Sequence, residues 1–227
     1  MVDHAQGWQD SRGLHARYLF AVTEIVRTAI SPDVRLSTHR SLDERLFVRW
    51  PRAFAAFGRA ALLLPPRSRL RRALLRRGVL SGWSALARGD LDLMLVRFAP
   101  DCEFEVSPEL VGVGMRSSYR GRAGMRTAVT DLSGAFERME LTPFEILDAG
   151  NRIVFLGHFH LRGGRSGVEL DSPFTEALWV ERGLVVRDKT FFDRSDQDAA
   201  LRAAGILTDA PGDVDLATDA GAAAAPD

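Results

Sequence analysis

The sequence has little of what disulfide, thiolate-metal or membrane chemistry requires. Among its 227 residues Cys102 is the one cysteine, which excludes a disulfide framework and any site built from several thiolates. No apolar run reaches the ~18 residues needed to cross a bilayer. Charges such as Asp10 and Arg17 interrupt the first segment, which predicts no secretory signal. We therefore expect a cytoplasmic protein.

Lysine is also nearly missing, and the charges are unevenly distributed. Lys189 is the single lysine among 30 basic residues, and the formal net charge is zero. Residues 1–99 carry 17 Arg against 8 acidic residues, whereas residues 208–227 carry five Asp and no basic residue. With 46% hydrophobic and 26% charged residues, the composition is that of an ordinary globular chain.

Composition divides the chain into four zones. Residues 1–40 have weak periodicity and predict a poorly ordered segment, with a short helix possible around 16–29. Residues 41–66 predict an amphipathic helical arm, and residues 67–207 predict the folded domain. The final zone, 208–227, holds alanines and aspartates with almost nothing large to bury, and predicts a disordered acidic tail.

The arm carries an apolar stripe with helical spacing. Pro51 interrupts this stripe, which predicts two short helices or one kinked helix. Large apolar side chains in such a row are not stable in water, so we expect them to pack on the domain or in a dimer. The stripe consists of Leu46, Phe47, Trp50, Phe54 and Phe57.

The folded zone predicts an α+β protein with a curved antiparallel sheet packed around helices. Apolar spacing of three to four predicts helices at 69–87, 91–98 and 121–137, and a last helix at 196–204. Alternation with period two predicts strands at 102–106, 139–147, 152–161, 168–180 and 184–192.

Five segments of the folded zone resemble the nuclear transport factor 2-like superfamily, and more narrowly its SnoaL-like, polyketide-cyclase-like branch. In chain order they are WSALARGDLDLMLVRFAPDCEFEV, YRGRAGMRTAV, SGVEL, WVERGLVVR and FFDRSDQDAALRAAGI. The resemblance covers residues 69–207 and leaves the arm as an addition. It implies a cone, in which a strongly bent sheet and helices enclose an apolar cavity, and a homodimer formed through the outer sheet face.

The same resemblance implies chemistry that requires no cofactor. Members include isomerases, dehydratases, epoxide hydrolases, cyclases and proteins without catalytic activity, so the fold alone does not set the function. The two acid/base positions of the steroid-isomerase branch hold Val106 and Gly82 here, and neither side chain moves a proton. That activity is therefore not expected.

The cyclase-like branch places an acid/base carboxylate seven residues before the glycine of the final hairpin. Counting back from Gly183 reaches Glu176, which alternation places on one strand face with Phe174 and Leu178. Desolvation among apolar neighbours raises the pKa of a carboxyl group and suits it to acid/base work. The alternative is a glutamate at the wet mouth of the cavity or in a structural hydrogen bond.

A second carboxylate, Asp188, is predicted opposite Glu176. A three-residue hairpin loop at 181–183 pairs Val180 with Leu184 and collects the apolar side chains on one face. Two carboxyls that share a low-dielectric site raise the pKa of one of them, so one serves as acid and its partner as base. The alternative is that both reach solvent.

His158 and His160 lie two apart on the strand predicted at 152–161. Because the opposite face is more apolar, we expect both histidines on the outer face, where a dimer forms; the alternative makes them proton carriers in the pocket. Their spacing could bind a metal, but no matched third ligand is evident, and we predict no metal.

The resemblance also implies which side chains line the cavity: Trp83, Phe104, Tyr119, Leu178 and Phe192. Such residues serve equally well as core. The leading hypothesis is a cofactor-independent protein that binds, or acts by acid/base chemistry on, a small apolar or aromatic metabolite.

The alternative hypothesis is a non-catalytic dimerisation or scaffold module whose basic arm contacts a protein or membrane surface. Six arginines stand within residues 67–77, interleaved with leucines. No aromatic interleaving or DNA-binding motif accompanies them, so we predict no nucleic-acid partner.

Overall fold

The computed structural model describes residues 25–31, 33–163, 169–192, 201–202 and 205. Six helices lie within these ranges: α1 Leu42–Arg49, α2 Pro51–Leu63, α3 Arg69–Ala87, α4 Leu91–Leu95, α5 Pro108–Gly112 and α6 Gly121–Ala135. The predicted break of the arm is confirmed, because Pro51 stands at the first position of α2, where its missing N–H costs nothing. None of the described helices is long and apolar enough to span a membrane.

Seven strands form one sheet in the order β1-β4-β5-β6-β7-β2-β3. Neighbours pair antiparallel, except that β2 runs parallel to β7. The predicted α+β class is therefore confirmed, with one parallel pair in an otherwise antiparallel sheet. The strands are β1 Val26–Ala29, β2 Phe98–Glu105, β3 Ser118–Arg120, β4 Arg138–Ala149, β5 Arg152–Arg162, β6 Glu169–Glu181 and β7 Leu184–Phe192.

The inner face of the sheet packs around the indole of Trp83 in α3. Its ring lies edge-on to those of Phe155 and Phe174, with ring centroids 5.3 Å away in each case. Phe159 of β5 contacts the same indole at 5.7 Å between centroids. The bent sheet thus closes around α3, which is the arrangement of a cone.

The hairpin between β6 and β7 departs from the predicted register. Its loop has two residues, Arg182 and Gly183, both with positive φ, as a turn matched to the twist of the strands requires. A β-bulge then places Val186 out of the ladder, so Glu176 pairs with Thr190 and Leu178 pairs with Asp188. The predicted pairing of Glu176 with Asp188 is therefore wrong, although the bulge restores both to one face.

The first zone contributes to the fold, contrary to the prediction of poor order over 1–40. Residues 26–29 form β1, which pairs with β4 at the sheet edge instead of continuing the helix predicted around 16–29. Ile30 is buried and donates its backbone N–H to the Phe144 carbonyl. A four-residue edge strand is too short to show a period, so pairing with β4 decides its conformation. Residues 1–24 and 208–227 lie outside the described residues.

The arm, meaning α1 and α2, packs on the cone. Phe54 is buried, and its ring lies 5.3 Å from that of Phe47 between centroids. Leu46 and Trp50, however, remain 41% and 57% exposed, so the predicted stripe is buried only in part. The chain changes direction at Pro51, and the apolar faces of the two helices therefore do not form one continuous surface.

A buried ion pair fixes the end of the arm. Arg71 of α3 donates to both carboxylate oxygens of Asp148, at 2.6 and 2.7 Å, and each side chain is 2% exposed. The guanidinium also donates to the carbonyl oxygens of Leu62 and Leu64, both at 2.8 Å, and to that of Gly150. One side chain thus connects the C-terminus of α2 to the β4–β5 turn.

Candidate functional site

The cone and the arm enclose a cavity of two adjoining chambers. The larger chamber has a volume of about 140 Å³ and the smaller one about 60 Å³. Both are lined by Trp83, Leu86, Met94 and Glu176, so these four side chains stand at the boundary between them.

The larger chamber lies between the arm, α3 and the inner sheet face. Its walls are apolar side chains and glycines, apart from Arg97 and Glu176. Phe54 and Phe57 of α2 form part of the wall, opposite Phe155 of β5. A ligand there would be surrounded almost entirely by hydrocarbon.

The smaller chamber lies deeper in the cone, beside α6. Its charged lining residues are Glu176 and Asp188, joined by the hydroxyl-bearing Thr190. The Thr190 hydroxyl oxygen accepts a hydrogen bond from the backbone N–H of Ser107 at 3.3 Å. The polar groups therefore collect on the β6 and β7 side of this chamber, and apolar side chains, among them Trp83, form the rest.

Glu176 and Asp188 form a buried carboxyl pair. Glu176 is 9% exposed and Asp188 is 1% exposed. Their side chains are hydrogen-bonded to each other, which requires that one of them carries a proton. Among the described residues, Glu176 Oε2 and Asp188 Oδ1 have no hydrogen-bond partner. Each carboxyl thus has one buried oxygen that no hydrogen-bond donor of the described residues reaches.

Burial separates the pKa values of the two groups. Desolvation raises the pKa of Asp188 to about 7, and the hydrogen bond from Glu176 opposes part of that rise. The pKa of Glu176 is raised well above its ordinary value by desolvation, by the charge of Asp188 and by donating to it. Asp188 therefore ionises first, and Glu176 holds the shared proton near neutral pH.

Arg97 is the cation of the larger chamber. Its Nη1 donates to the Gly78 carbonyl at 2.7 Å, and its Nη2 donates to the Ser81 hydroxyl at 2.8 Å. Ser81 in turn donates to the buried carboxylate of Glu44 in α1, at 2.6 Å. Desolvation lowers the pKa of Arg97 to about 10, so the side chain remains charged at neutral pH.

Four of the five predicted lining residues border the cavity. Leu178 lines the larger chamber, Phe104 and Phe192 line the smaller one, and Trp83 lines both. Tyr119 lines neither chamber. It stacks on Phe104, and its hydroxyl donates to Asp131 at 2.7 Å, so it supports the wall from behind.

His158 and His160 lie on the outer face of β5, as predicted. The inner residues of this strand, Phe155 and Phe159, alternate with them. His158 Nδ1 lies 3.0 Å from an Asp171 carboxylate oxygen, and both side chains are solvent-accessible. The histidines therefore do not contact the cavity. In the part of the chain that the structure describes, no group of three His, Cys, Asp or Glu is placed to hold a metal ion.

The sequence did not predict that the arm and Arg97 line the larger chamber. The alternation of β6 and β7 located the carboxyl pair, and the apolar stripe located Phe54 and Phe57 on the packed face of α2. No sequence signal showed that this face lines a cavity. The prolines that separate α2 from α3 indicated only that the chain could turn back there.

The curved, largely antiparallel sheet packed around helices is the α+β cone that the resemblance in the sequence implies. Residues 81–188 match the family model described as the SnoaL-like domain. The resemblance that the sequence motifs indicate is therefore confirmed over residues 81–188. No curated protein sequence matches the chain.

Solved structures of similar fold cover little more than half of the chain. One is TerC co-crystallised with polyporic acid, 19% identical, with a TM-score of 0.47 over 57% of this chain and 95% of its own. An NTF2-like protein of unknown function from Burkholderia pseudomallei is 23% identical, with a TM-score of 0.49 over 56% and 94%. Another from Burkholderia thailandensis is 20% identical, with a TM-score of 0.47 over 58% and 96%.

Proposed function

We propose that this protein binds a small apolar metabolite in the two-chamber cavity and moves a proton on it without a cofactor. The observation that carries the proposal is the buried pair Glu176–Asp188, in which each carboxyl keeps one oxygen without a partner among the described residues. A buried acidic pair is costly, and a protein of ordinary stability retains such a cost most readily at a functional site.

The order of ionisation assigns the two roles. Asp188, with a pKa of about 7, is partly ionised at neutral pH and can accept a proton from the ligand. Glu176 stays protonated and can donate to a developing oxyanion, as a carboxylic acid kept neutral by its apolar site does. Together they support proton abstraction next to a carbonyl group, the elementary step of isomerisation and cyclisation.

The test is proton exchange at carbon. A panel of cyclic and aryl ketones in D₂O, followed by ¹H NMR, should include compounds whose α-protons exchange faster with the wild-type protein. Glu176→Gln and Asp188→Asn should each slow that exchange at least about a hundredfold, the usual contribution of acid/base catalysis. Glu181→Gln is the matched control, since Glu181 is exposed at the end of the same strand.

Exchange that persists in both amide variants would contradict the assignment of these roles. The absence of wild-type exchange with every ketone in the panel would also count against an enolising activity.

The second candidate function is a non-catalytic module whose arm contacts a protein or membrane surface. The observation that favours it is an exposed apolar row on α1, where Leu42, Leu46 and Trp50 are 84%, 41% and 57% exposed. Arg45 and Arg49 stand exposed beside this row, so the surface combines apolar and basic groups.

Vesicles test this second candidate. We expect the protein to co-sediment with vesicles of phosphatidylglycerol and phosphatidylcholine if the row inserts, and Leu46→Ser with Trp50→Ser to abolish that binding. Phe144→Ser serves as control, because Phe144 is 40% exposed on β4. Equal sedimentation of both variants would remove the arm from the interaction.

A further inference from the structure

The larger chamber is built in good part outside the SnoaL-like domain. Nine of its 22 lining residues precede residue 81, where the match to the family model begins. They come from α2 and from the N-terminal half of α3, so the arm is a wall of the cavity as well as a structural addition. Part of the chamber wall therefore lies outside the residues that match the family model.

Glycines in the helices of this wall have different physical explanations. Gly58 of α2 lies against the hairpin turn, where a Cβ would stand 2.9 Å from the Gly183 Cα. At Gly82 of α3, a Cβ would meet the Arg97 guanidinium at 3.4 Å. At Gly58 the neighbouring backbone leaves no room for a Cβ, which accounts for glycine there, whereas the contact at Gly82 is an ordinary van der Waals distance to a flexible side chain.

Gly78 has no such explanation. It lies inside α3 and lines the larger chamber, and a Cβ built there meets nothing within 4 Å. A helix with glycine in its interior is less stable than the same helix with alanine, so alanine at position 78 would stabilise the protein. Because Gly78 has no side chain, the chamber keeps free volume at this position.

The chamber also contains two buried polar atoms without a hydrogen-bond partner among the described residues, one on Glu176 and one on Arg97. Glu176 lines it, is nine-tenths buried, and its Oε2 has no partner in the described part of the chain. Arg97 donates through Nη1 to the Gly78 carbonyl and through Nη2 to the Ser81 hydroxyl, while its Nε has no partner among the described residues. Its guanidinium carbon lies 5.2 Å from the centroid of the Phe54 ring. A neutral hydroxyl therefore finds an acceptor in the unprotonated oxygen of Glu176. A carboxylate would lose its hydration inside a chamber of hydrocarbon, where the charge of Arg97 is already attracted to Glu44.

We infer that the larger chamber binds a neutral single ring that carries a hydroxyl group, and that Gly78 sets the size of the ring it accepts. Apolar cavities of about 150 Å³ bind benzene, and this chamber measures about 140 Å³. The hydroxyl of the ring donates to Glu176 Oε2 at the boundary with the smaller chamber. This inference specifies the ligand of the proposed function, and it rests on that function in one respect, namely that the ligand contacts Glu176.

Calorimetric titration of the full chain with phenol, toluene and benzoate tests the inference. We expect phenol to bind best, toluene more weakly, and benzoate at least tenfold more weakly than phenol. In Gly78→Leu the added side chain fills the chamber, so the phenol affinity should fall at least tenfold, and Gly78→Ala should cause an intermediate loss. Gly134→Leu is the matched control, because Gly134 is an exposed helical glycine with open space around it.

The melting temperatures separate a filled chamber from a damaged fold. Without ligand, Gly78→Ala and Gly78→Leu should melt at or above the wild-type temperature. Phenol should raise the melting temperature of the wild type and Gly134→Leu equally, that of Gly78→Ala less, and that of Gly78→Leu least. Undiminished phenol binding in folded Gly78→Leu, no wild-type binding of phenol or toluene, or preferred binding of benzoate would each overturn the inference.

The outcome is independent of the ketone exchange experiment. Phenol binding that depends on Gly78, found together with unchanged exchange in the amide variants, would retain the chamber and reject the acid/base roles. The reverse result would retain the acid/base pair and reject the chamber as the ring site.

Discussion

At the scale of single residues, the carboxyl pair makes the stability of the protein depend on pH. Because burial raises the pKa of Asp188 to about 7, the folded protein binds more protons here than the unfolded chain does between about pH 4 and 7. The free energy of unfolding must then fall as the pH rises through this range. The buried pair therefore destabilises the folded protein increasingly as the pH approaches neutrality.

Amide variants should remove part of that dependence. Asp188→Asn cannot ionise, so its free energy of unfolding should exceed that of the wild type at pH 8 by at least about 1 kcal/mol, since one pKa unit equals about 1.4 kcal/mol. Glu176→Gln should flatten the curve less, because Glu176 ionises after Asp188. Urea denaturation between pH 5 and 8 measures both, with Glu181→Gln as control. Parallel curves for all four proteins would show that the pair is not coupled to folding.

Arg71 is the second residue whose replacement should change the stability of the protein by a predictable amount. Arg71→Met would leave Asp148 buried without its cation, and the carbonyls of Leu62 and Leu64 without a donor. We expect a loss of about 3–5 kcal/mol in the free energy of unfolding. The double variant with Asp148→Asn should lose less than the sum of the single changes, since the uncompensated charge is gone. The exposed Arg69→Met is the control, and additive losses would refute coupling between the two side chains.

At the scale of elements, the position of α2 is set by contact between two glycines. The hairpin turn brings Gly183 against Gly58, so the β6–β7 hairpin and the arm helix touch through their backbones. A side chain on either glycine would separate the two elements and open the wall of the larger chamber. The same helix end is fixed to the β4–β5 turn by Arg71.

Two helical glycines of the same wall should respond oppositely to alanine. Gly58→Ala introduces overlap with the hairpin and should lower the free energy of unfolding by about 1–3 kcal/mol. Gly78→Ala meets open space and should raise it by up to about 1 kcal/mol, the helix propensity difference. Guanidinium denaturation of the two variants beside the wild type gives the comparison. A loss at both positions would mean that position 78 is not open.

The sequence predicted most elements, because their apolar periods are long. The helix predicted at 69–87 is α3 Arg69–Ala87, and the period of two placed Glu176 and Asp188 on one face. It could not reveal the bulge at Val186, since Val185 and Val186 are both apolar and the sequence does not show where the alternation shifts by one residue. Arg71 could not be told from its neighbours in an arginine-rich stretch, because burial depends on where Asp148 lies in three dimensions.

At the scale of the whole molecule, the outer sheet face is divided. One end holds a buried apolar cluster, in which Leu201 packs with Val154, Leu156 and Phe191. The other end is polar, with His158, Asp171 and other accessible side chains. The homodimer expected through this face stays a prediction, and the polar end is the described surface that it would use. Light scattering coupled to size exclusion measures the oligomeric state directly.

The arm and the cone should unfold as one unit. Deleting residues 1–64 removes β1 and the arm, exposes the wall of the larger chamber, and takes away two carbonyl acceptors of Arg71. We expect a lower melting temperature or aggregation, because a large apolar surface becomes exposed to water.

Phe54→Ala should produce a milder form of this effect and lower the free energy of unfolding by about 3 kcal/mol, because it removes a buried aromatic ring from the interface between the arm and the cone. Leu63→Ala is the control, since Leu63 is 87% exposed. Calorimetric melting of these variants decides the matter, and a clean monomer with an unchanged melting temperature after the deletion would show that the cone folds without its arm.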